Sequence, residues 1–155
     1  MNLLREEIEQ ELVQIAELVA KVERLLHLAK QTDDPDYLAG FISGLALYLH
    51  GFYTGVERIF YKIAREIDGV VLSGSDWHRQ LLNQMCIEIP DVRPAILSEK
   101  THEELNVFRG FRHVVRSLYA YKLDAIRVLE LAEQLKTCSE NLETEIRQFC
   151  KALTH

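Results

Sequence analysis

Apolar side chains recur every three or four residues along most of the chain, and the places where this rhythm stops divide it into five segments. From Leu3 to about Gln31 the positions Leu4, Ile8, Leu12, Ile15, Leu18, Val22, Leu25 and Leu28 keep helical spacing. They predict a long first helix with glutamates in its first turns, where the helix dipole favours acids. Thr32-Asp33-Asp34-Pro35 interrupts it, with Asp34 suited to cap a second helix and Pro35 to begin it. That helix, about Pro35 to Ile67, is apolar around most of its circumference. Gly40, Gly44, Gly51 and Gly55 thin one side, so a neighbouring helix can approach closely there. Asp68-Gly69 ends it and Val70 to Ser75 reads as a loop. Ser75 or Asp76 then caps a shorter helix, Trp77 to about Ile87. Pro90 and Pro94 fence an irregular connection through Leu97. A fourth helix follows over about Thr101 to Tyr121, and a fifth, capped by Asp124, runs to about Leu153. No segment alternates like a strand. The pattern predicts an all-α chain of four long helices and one short one.

Size and composition narrow the class. A chain of 155 residues is one domain on ordinary size priors, here 1–155. It buries roughly 70% of its unfolded surface, enough for a core without disulfides or a structural metal. Cys86, Cys138 and Cys150 form neither a disulfide framework nor a metal pair, so reduced thiols in the cytoplasm are expected. The acidic beginning MNLLREEIEQELVQ is expected not to be a signal peptide. The stretch Tyr37 to Phe60 holds Ser43, His50 and Glu57, too polar and periodic for a membrane span. The net charge of −6 speaks against a surface that binds nucleic acid everywhere.

A local basic face is present. At about 100° per residue, Phe108, Phe111, Val114, Val115 and Leu118 share one side of the fourth helix, while Arg109, Arg112, His113 and Arg116 fall within about 100° of arc opposite. No acid occurs between Leu105 and Leu123, where Arg109, Arg112, Arg116 and Lys122 contribute +4, so the rest of the chain carries −10. Three guanidiniums at i, i+3 and i+4 spacing repel one another unless an anion lies across them. Arginine suits phosphate through its planar fork of donors. Among these cations the protonated form of His113 is disfavoured, which leaves a neutral imidazole able to act as a general base. The alternative is an ion-pairing face for an acidic neighbour, for which the Glu-rich first helix is the candidate.

The run Phe111-Arg112-His113-Val114-Val115-Arg116-Ser117-Leu118-Tyr119, followed by Lys122-Leu123-Asp124, resembles the signature helix of HEPN domains, in particular the HepT-like ribonuclease toxins. Asp76 to Met85 with Arg93-Pro94, and Phe52 to Phe60, resemble the same group in matching order, so the likeness spans about Tyr37 to Leu135. It implies an antiparallel HEPN-like bundle. It also implies a homodimeric, metal-independent endoribonuclease without a cofactor, in which a 2′-hydroxyl attacks phosphorus. Arg112 matches the motif arginine and Tyr119 the trailing tyrosine, while Ser117 stands where the motif has its histidine. On this likeness Arg112 and Arg116 stabilise charge, His113 is the candidate base and Arg109 contacts the RNA backbone. Such toxins pair with a minimal nucleotidyltransferase antitoxin, which in some systems attaches AMP to the tyrosine, here Tyr119. This chain is not that enzyme, since Gly74-Ser75 lacks the paired aspartates that follow in such sites. With Ser117 in place of histidine, the alternative is a non-catalytic HEPN module that binds RNA or a nucleotide, or docks a nucleotidyltransferase. A helical scaffold with no nucleic-acid role is the third reading.

The remaining candidates read as structure. Trp77 and Met85 are expected in the core, His78 at the surface or in a cap with an extension of the cleft as the alternative, and Glu57 in an ion pair with an arginine of the fourth helix with a catalytic acid as the alternative. Tyr48, Tyr53 and Tyr61 are expected to place their hydroxyls at the core edge.

Overall fold

The computed structural model describes residues 2–153 apart from 118–123, and the side chains of 112–117 are likewise outside the described set. Five α-helices follow in order: α1 Asn2–Gln31, α2 Pro35–Ile63, α3 Trp77–Gln84, α4 Glu99–Ser117 and α5 Ala125–Ala152. Among the described residues there is no strand, only an isolated bridge between Ile89 and Arg93, and no helix is long and apolar enough to cross a membrane. The fold is an all-α HEPN-like bundle of four long helices and one short one, as the periodicity predicts.

Local chemistry sets the boundaries. Asp34 Oδ1 accepts from the N–H groups of Asp36 and Tyr37 at 2.8 and 3.3 Å, and Pro35 opens α2. Asp124 caps α5 in the same way through the N–H groups of Ile126 and Arg127. The last turn before Gly69 widens into a π-turn, Ala64–Asp68, closed by Gly69 at φ 69°, a left-handed conformation that glycine adopts without strain. Asp76 occupies the cap position of α3, yet its carboxylate takes Arg79 at 2.7 Å and leaves the backbone N–H groups alone.

Helix α3 stops at Gln84 rather than near Ile87. Its terminal carbonyls are taken by the connection that follows: Met85 O accepts from the N–H groups of Ile96 and Leu97, and Gln84 O and Ile87 O accept from the Arg93 guanidinium. Arg93 also grips Asp68 through Nε and a terminal nitrogen at 2.6 and 2.8 Å, with both side chains 1% exposed or less. The connection is thereby pinned to the end of α2.

Helix α4 begins at Glu99, two residues before the expected start, because a carboxylate from another helix completes its cap. Glu145 of α5 accepts from the Ser98 N–H at 2.6 Å and from the hydroxyls of Ser98 and Thr101, while Ser98 Oγ accepts from the Thr101 N–H. A carboxylate at a helix N-terminus also meets the positive end of the helix dipole. Replacing Glu145 by alanine is expected to cost about 2 kcal/mol, since it leaves the buried Thr101 hydroxyl, the Ser98 hydroxyl and the Ser98 N–H without their charged acceptor. Thermal unfolding will read this as a Tm lowered by about 4–8 °C.

One contiguous apolar cluster joins all five helices. Helix α1 lies antiparallel on the glycine side of α2: a Cβ at Gly44, Gly51 or Gly55 would stand 3.1–3.3 Å from Leu25, Leu18 or Ile15. The glycines therefore seat a helix of the same chain. Leu4, Ile8, Leu12, Ile15 and Val22 are buried as expected, but Leu28 is exposed and Ala29 takes its place. Position 29 lies only about 20° from Val22 around the helix, and position 28 about 120°. Met85 is buried and Trp77 partly so. Tyr53 is wholly buried rather than at the core edge, because α2 is enclosed by neighbours along that turn, whereas Tyr61 stays 37% exposed.

All three cysteines are free. Burial, with a lesser push from the Glu145 charge, raises the Cys86 thiol from 9.0 to about 11. Burial and the charges of Glu104 and Glu145 raise Cys138 further. Because the folded value exceeds the ordinary one, the thiol's contribution to stability is complete below about pH 9 and is lost as pH rises through about 11. At pH 8, iodoacetamide is expected to leave Cys86 and Cys138 unmodified in the folded protein and to alkylate both in urea, as read by mass spectrometry.

Candidate nucleic-acid interface

The rotation of α4 is set by its buried face. Leu105 and Phe108 are 0% and 1% exposed, Phe111 is buried, and the Phe108 ring meets Phe52 of α2 edge-on at 5.4 Å. The opposite stripe runs through His102, Asn106 and Arg109, about 100° per residue around the helix. Asn106 is exposed, and His102 and Arg109 are half-buried. Arg109 Nε donates to Asn106 Oδ1 at 2.9 Å, and His102 Nε2 donates to Asn83 Oδ1 of α3 at 2.8 Å. A Cβ at Gly110 would meet nothing within 4 Å.

The helix continues unbroken to Ser117; at about 100° per residue His113 and Arg116 keep the register of this stripe, whereas Arg112, seven residues after the buried Leu105, lies only about 20° from that leucine around the helix. The side chains of Arg112, His113, Arg116 and Ser117, and the whole of Tyr119, lie outside the described residues.

Four of the six acids of α1, the candidates to neutralise the stripe, are engaged elsewhere. Glu7 and Glu11 pair with Lys62 and Arg58 of α2, and Glu9 and Glu23 with Arg147 and Lys136 of α5. These pairs follow from the antiparallel seating of α1 between α2 and α5. Their effect is to direct the acidity of α1 toward helices other than α4.

A second constellation lies next to the stripe. Glu57, buried on α2, accepts from His78 Nδ1 of α3 at 2.6 Å. The histidine expected at the surface is thus a partner of this glutamate. Of the fourth-helix arginines expected to pair with Glu57, Arg109 turns to Asn106, and the side chains of Arg112 and Arg116 lie outside the described residues. The His78 side chain is 22% exposed and that of Glu57 7%. The Trp77 ring lies against the imidazole, with centroids 3.7 Å apart and planes inclined by 31°.

Two contacts give the location of this pair relative to α4. Met85 meets Leu97 and Asn83 meets His102, so α3 and α4 run antiparallel. Five residues back from Asn83, about 7.5 Å along the axis, His78 comes level with about Val107. Along the helix axis the pair is therefore level with the turn that carries Asn106 and Arg109. Sequence periodicity had no means of finding this, because Glu57 and His78 are 21 residues apart on different helices. The one local signal was a carboxylate at an otherwise apolar turn of the second helix, where burial demands a partner.

The all-α bundle with a short third helix and an arginine-bearing fourth helix is consistent with a HEPN domain. The chain belongs to the HepT-like protein family, whose sequence model matches residues 44–153. No curated protein and no solved structure matches the chain.

Proposed function

We propose that this chain is the ribonuclease toxin of a toxin–antitoxin pair, a single HEPN domain that cleaves RNA in the cytoplasm as a homodimer. The observation that carries the reading is membership of the HepT-like family over the span that includes α3 and α4. In the proposed reaction the 2′-hydroxyl beside the scissile bond attacks phosphorus without a metal ion. Arg112 and Arg116 hold the charge that builds on the phosphoryl oxygens. Arg109 binds a neighbouring phosphate. His113 is the imidazole that α4 itself offers as a base. The proposed partner is a minimal nucleotidyltransferase that attaches AMP to Tyr119 and so places an anion where the RNA phosphate would lie.

The test is incubation of purified protein with tRNA and mRNA in EDTA. Fragments ending in a 2′,3′-cyclic phosphate are expected from the wild type, and RNA left equally intact by wild type and Arg112→Ala would refute the nuclease. Incubation with the nucleotidyltransferase and ATP is expected to add one AMP to the wild type and none to Tyr119→Phe.

Ser117, at the position of the motif histidine, favours a second reading, a non-catalytic module that binds RNA or a nucleotide or docks the nucleotidyltransferase. RNA bound in a salt-dependent manner but left uncut would select it.

A further inference from the structure

We infer that the Glu57–His78 pair at the start of α3 supplies the acid–base half of the cleavage site, with His78 Nε2 taking the proton of the 2′-hydroxyl and Glu57 holding the ring in place. The inference rests on the nuclease reading and assigns its base to a different helix.

The geometry is that of an oriented base. A carboxylate can only accept, so the 2.6 Å contact requires the proton on His78 Nδ1 and leaves the Nε2 lone pair free in the neutral ring. Glu57 is fixed within the core by α2, while the imidazole reaches the surface. Trp77 covers one face of the ring and limits its rotation. A base held through its second nitrogen by a buried carboxylate is the arrangement in which a histidine is kept in one tautomer and one orientation. The location matters equally. His78 comes level with the Asn106–Arg109 turn, so a phosphate lying along the arginine stripe would bring the adjoining ribose toward α3.

The step balances without a co-reactant other than water. The 2′-hydroxyl gives its proton to Nε2 as its oxygen bonds to phosphorus. The bond from phosphorus to the 5′ oxygen breaks, and that oxygen takes a proton from solvent. The products are a 2′,3′-cyclic phosphate and a 5′-hydroxyl, and His78 returns its proton to solvent.

Cleavage by the full chain, measured on one RNA in EDTA, tests this. His78→Ala is expected to lower the rate by about 10²–10⁴-fold while RNA affinity changes little, and added imidazole should restore part of the rate. His78→Gln, which can still donate to Glu57 and so preserves the buried contact, is expected to fold normally and to cleave as poorly as His78→Ala. Glu57→Gln should lower kcat by about tenfold with KM nearly unchanged. Cleavage at the wild-type rate by His78→Gln, or a loss in His78→Ala that imidazole does not relieve, would overturn the inference. So would a loss confined to His113→Ala, and in each of these cases the nuclease reading survives. An inert wild type would overturn both.

Discussion

On the proposed nuclease function, replacing Arg112 by alanine is expected to lower the rate of RNA cleavage by about 10²–10³-fold, the usual cost of removing one donor from the charge that develops in a transition state. The physical reason is geometric. An arginine fork offers two parallel hydrogen bonds to a phosphoryl group, and these strengthen as negative charge moves onto its oxygens. Arg112→Lys keeps the charge but not the fork, so most of the rate will stay lost. Binding will respond differently from cleavage. Removing one phosphate contact lowers the slope of log affinity against log salt by about one, which salt titrations of RNA binding can measure. Arg109→Ala is expected to weaken binding in the same way with a smaller effect on the rate. Equal losses of rate for both variants would show that the stripe binds RNA without discriminating the transition state.

Replacing Arg93 by alanine will destabilise the protein by about 3–5 kcal/mol, because it strands the Asp68 carboxylate in the core. Arg93 is 5% exposed and donates to Asp68 at 2.6 and 2.8 Å and to the carbonyls of Gln84, Ile87 and Pro94. Gln84 Nε2 adds a further bond to Asp68 at 3.2 Å. Every polar atom of the guanidinium is thus used, which is the condition under which a buried pair can be tolerated. Urea unfolding of Arg93→Ala, Asp68→Ala and the double variant will give the coupling between them. The double variant is expected to be more stable than the sum of the two losses implies, since it no longer buries an unpaired charge. Because Arg93 ties the connection before α4 to the end of α2 and α3, the same variant will loosen the elements that hold His78 and Asn83. Strict additivity in the cycle would count against this account.

The two predictions draw on features of very different legibility. The arginine stripe is a matter of spacing within one helix, and Phe108 and Phe111 are buried as the periodicity requires, while the buried Leu105 extends the core face toward the register of Arg112 and Arg116. The caps at Asp34 and Asp124 are equally local, since each side chain reaches N–H groups two and three residues ahead. Helix α4 starts two residues before the periodicity predicts because its cap acceptor, Glu145, is 47 positions away from Ser98. Helix α3 ends early because carbonyls that a helix would use are claimed by Arg93, Ile96 and Leu97. Gly44, Gly51 and Gly55 of α2 form the expected close-approach surface, whereas a Cβ at Gly40 would meet nothing within 4 Å, and the occupant, α1, is fixed by tertiary packing.

What the sequence determines by itself is the set of helices, the face each one buries and the segregation of arginines on the fourth. These depend on a period of 3.6 residues and on side chains within one turn of each other, so they are written in adjacent positions. Only the tertiary structure decides which helix lies against which, and with that the three contacts on which the site rests. It turns the acids of α1 toward α2 and α5, closes Asp68 on Arg93, and brings Glu57 to His78. Each is a meeting of polar groups from separate helices. A buried carboxylate or guanidinium must find a partner, but its own neighbours in sequence do not specify which one.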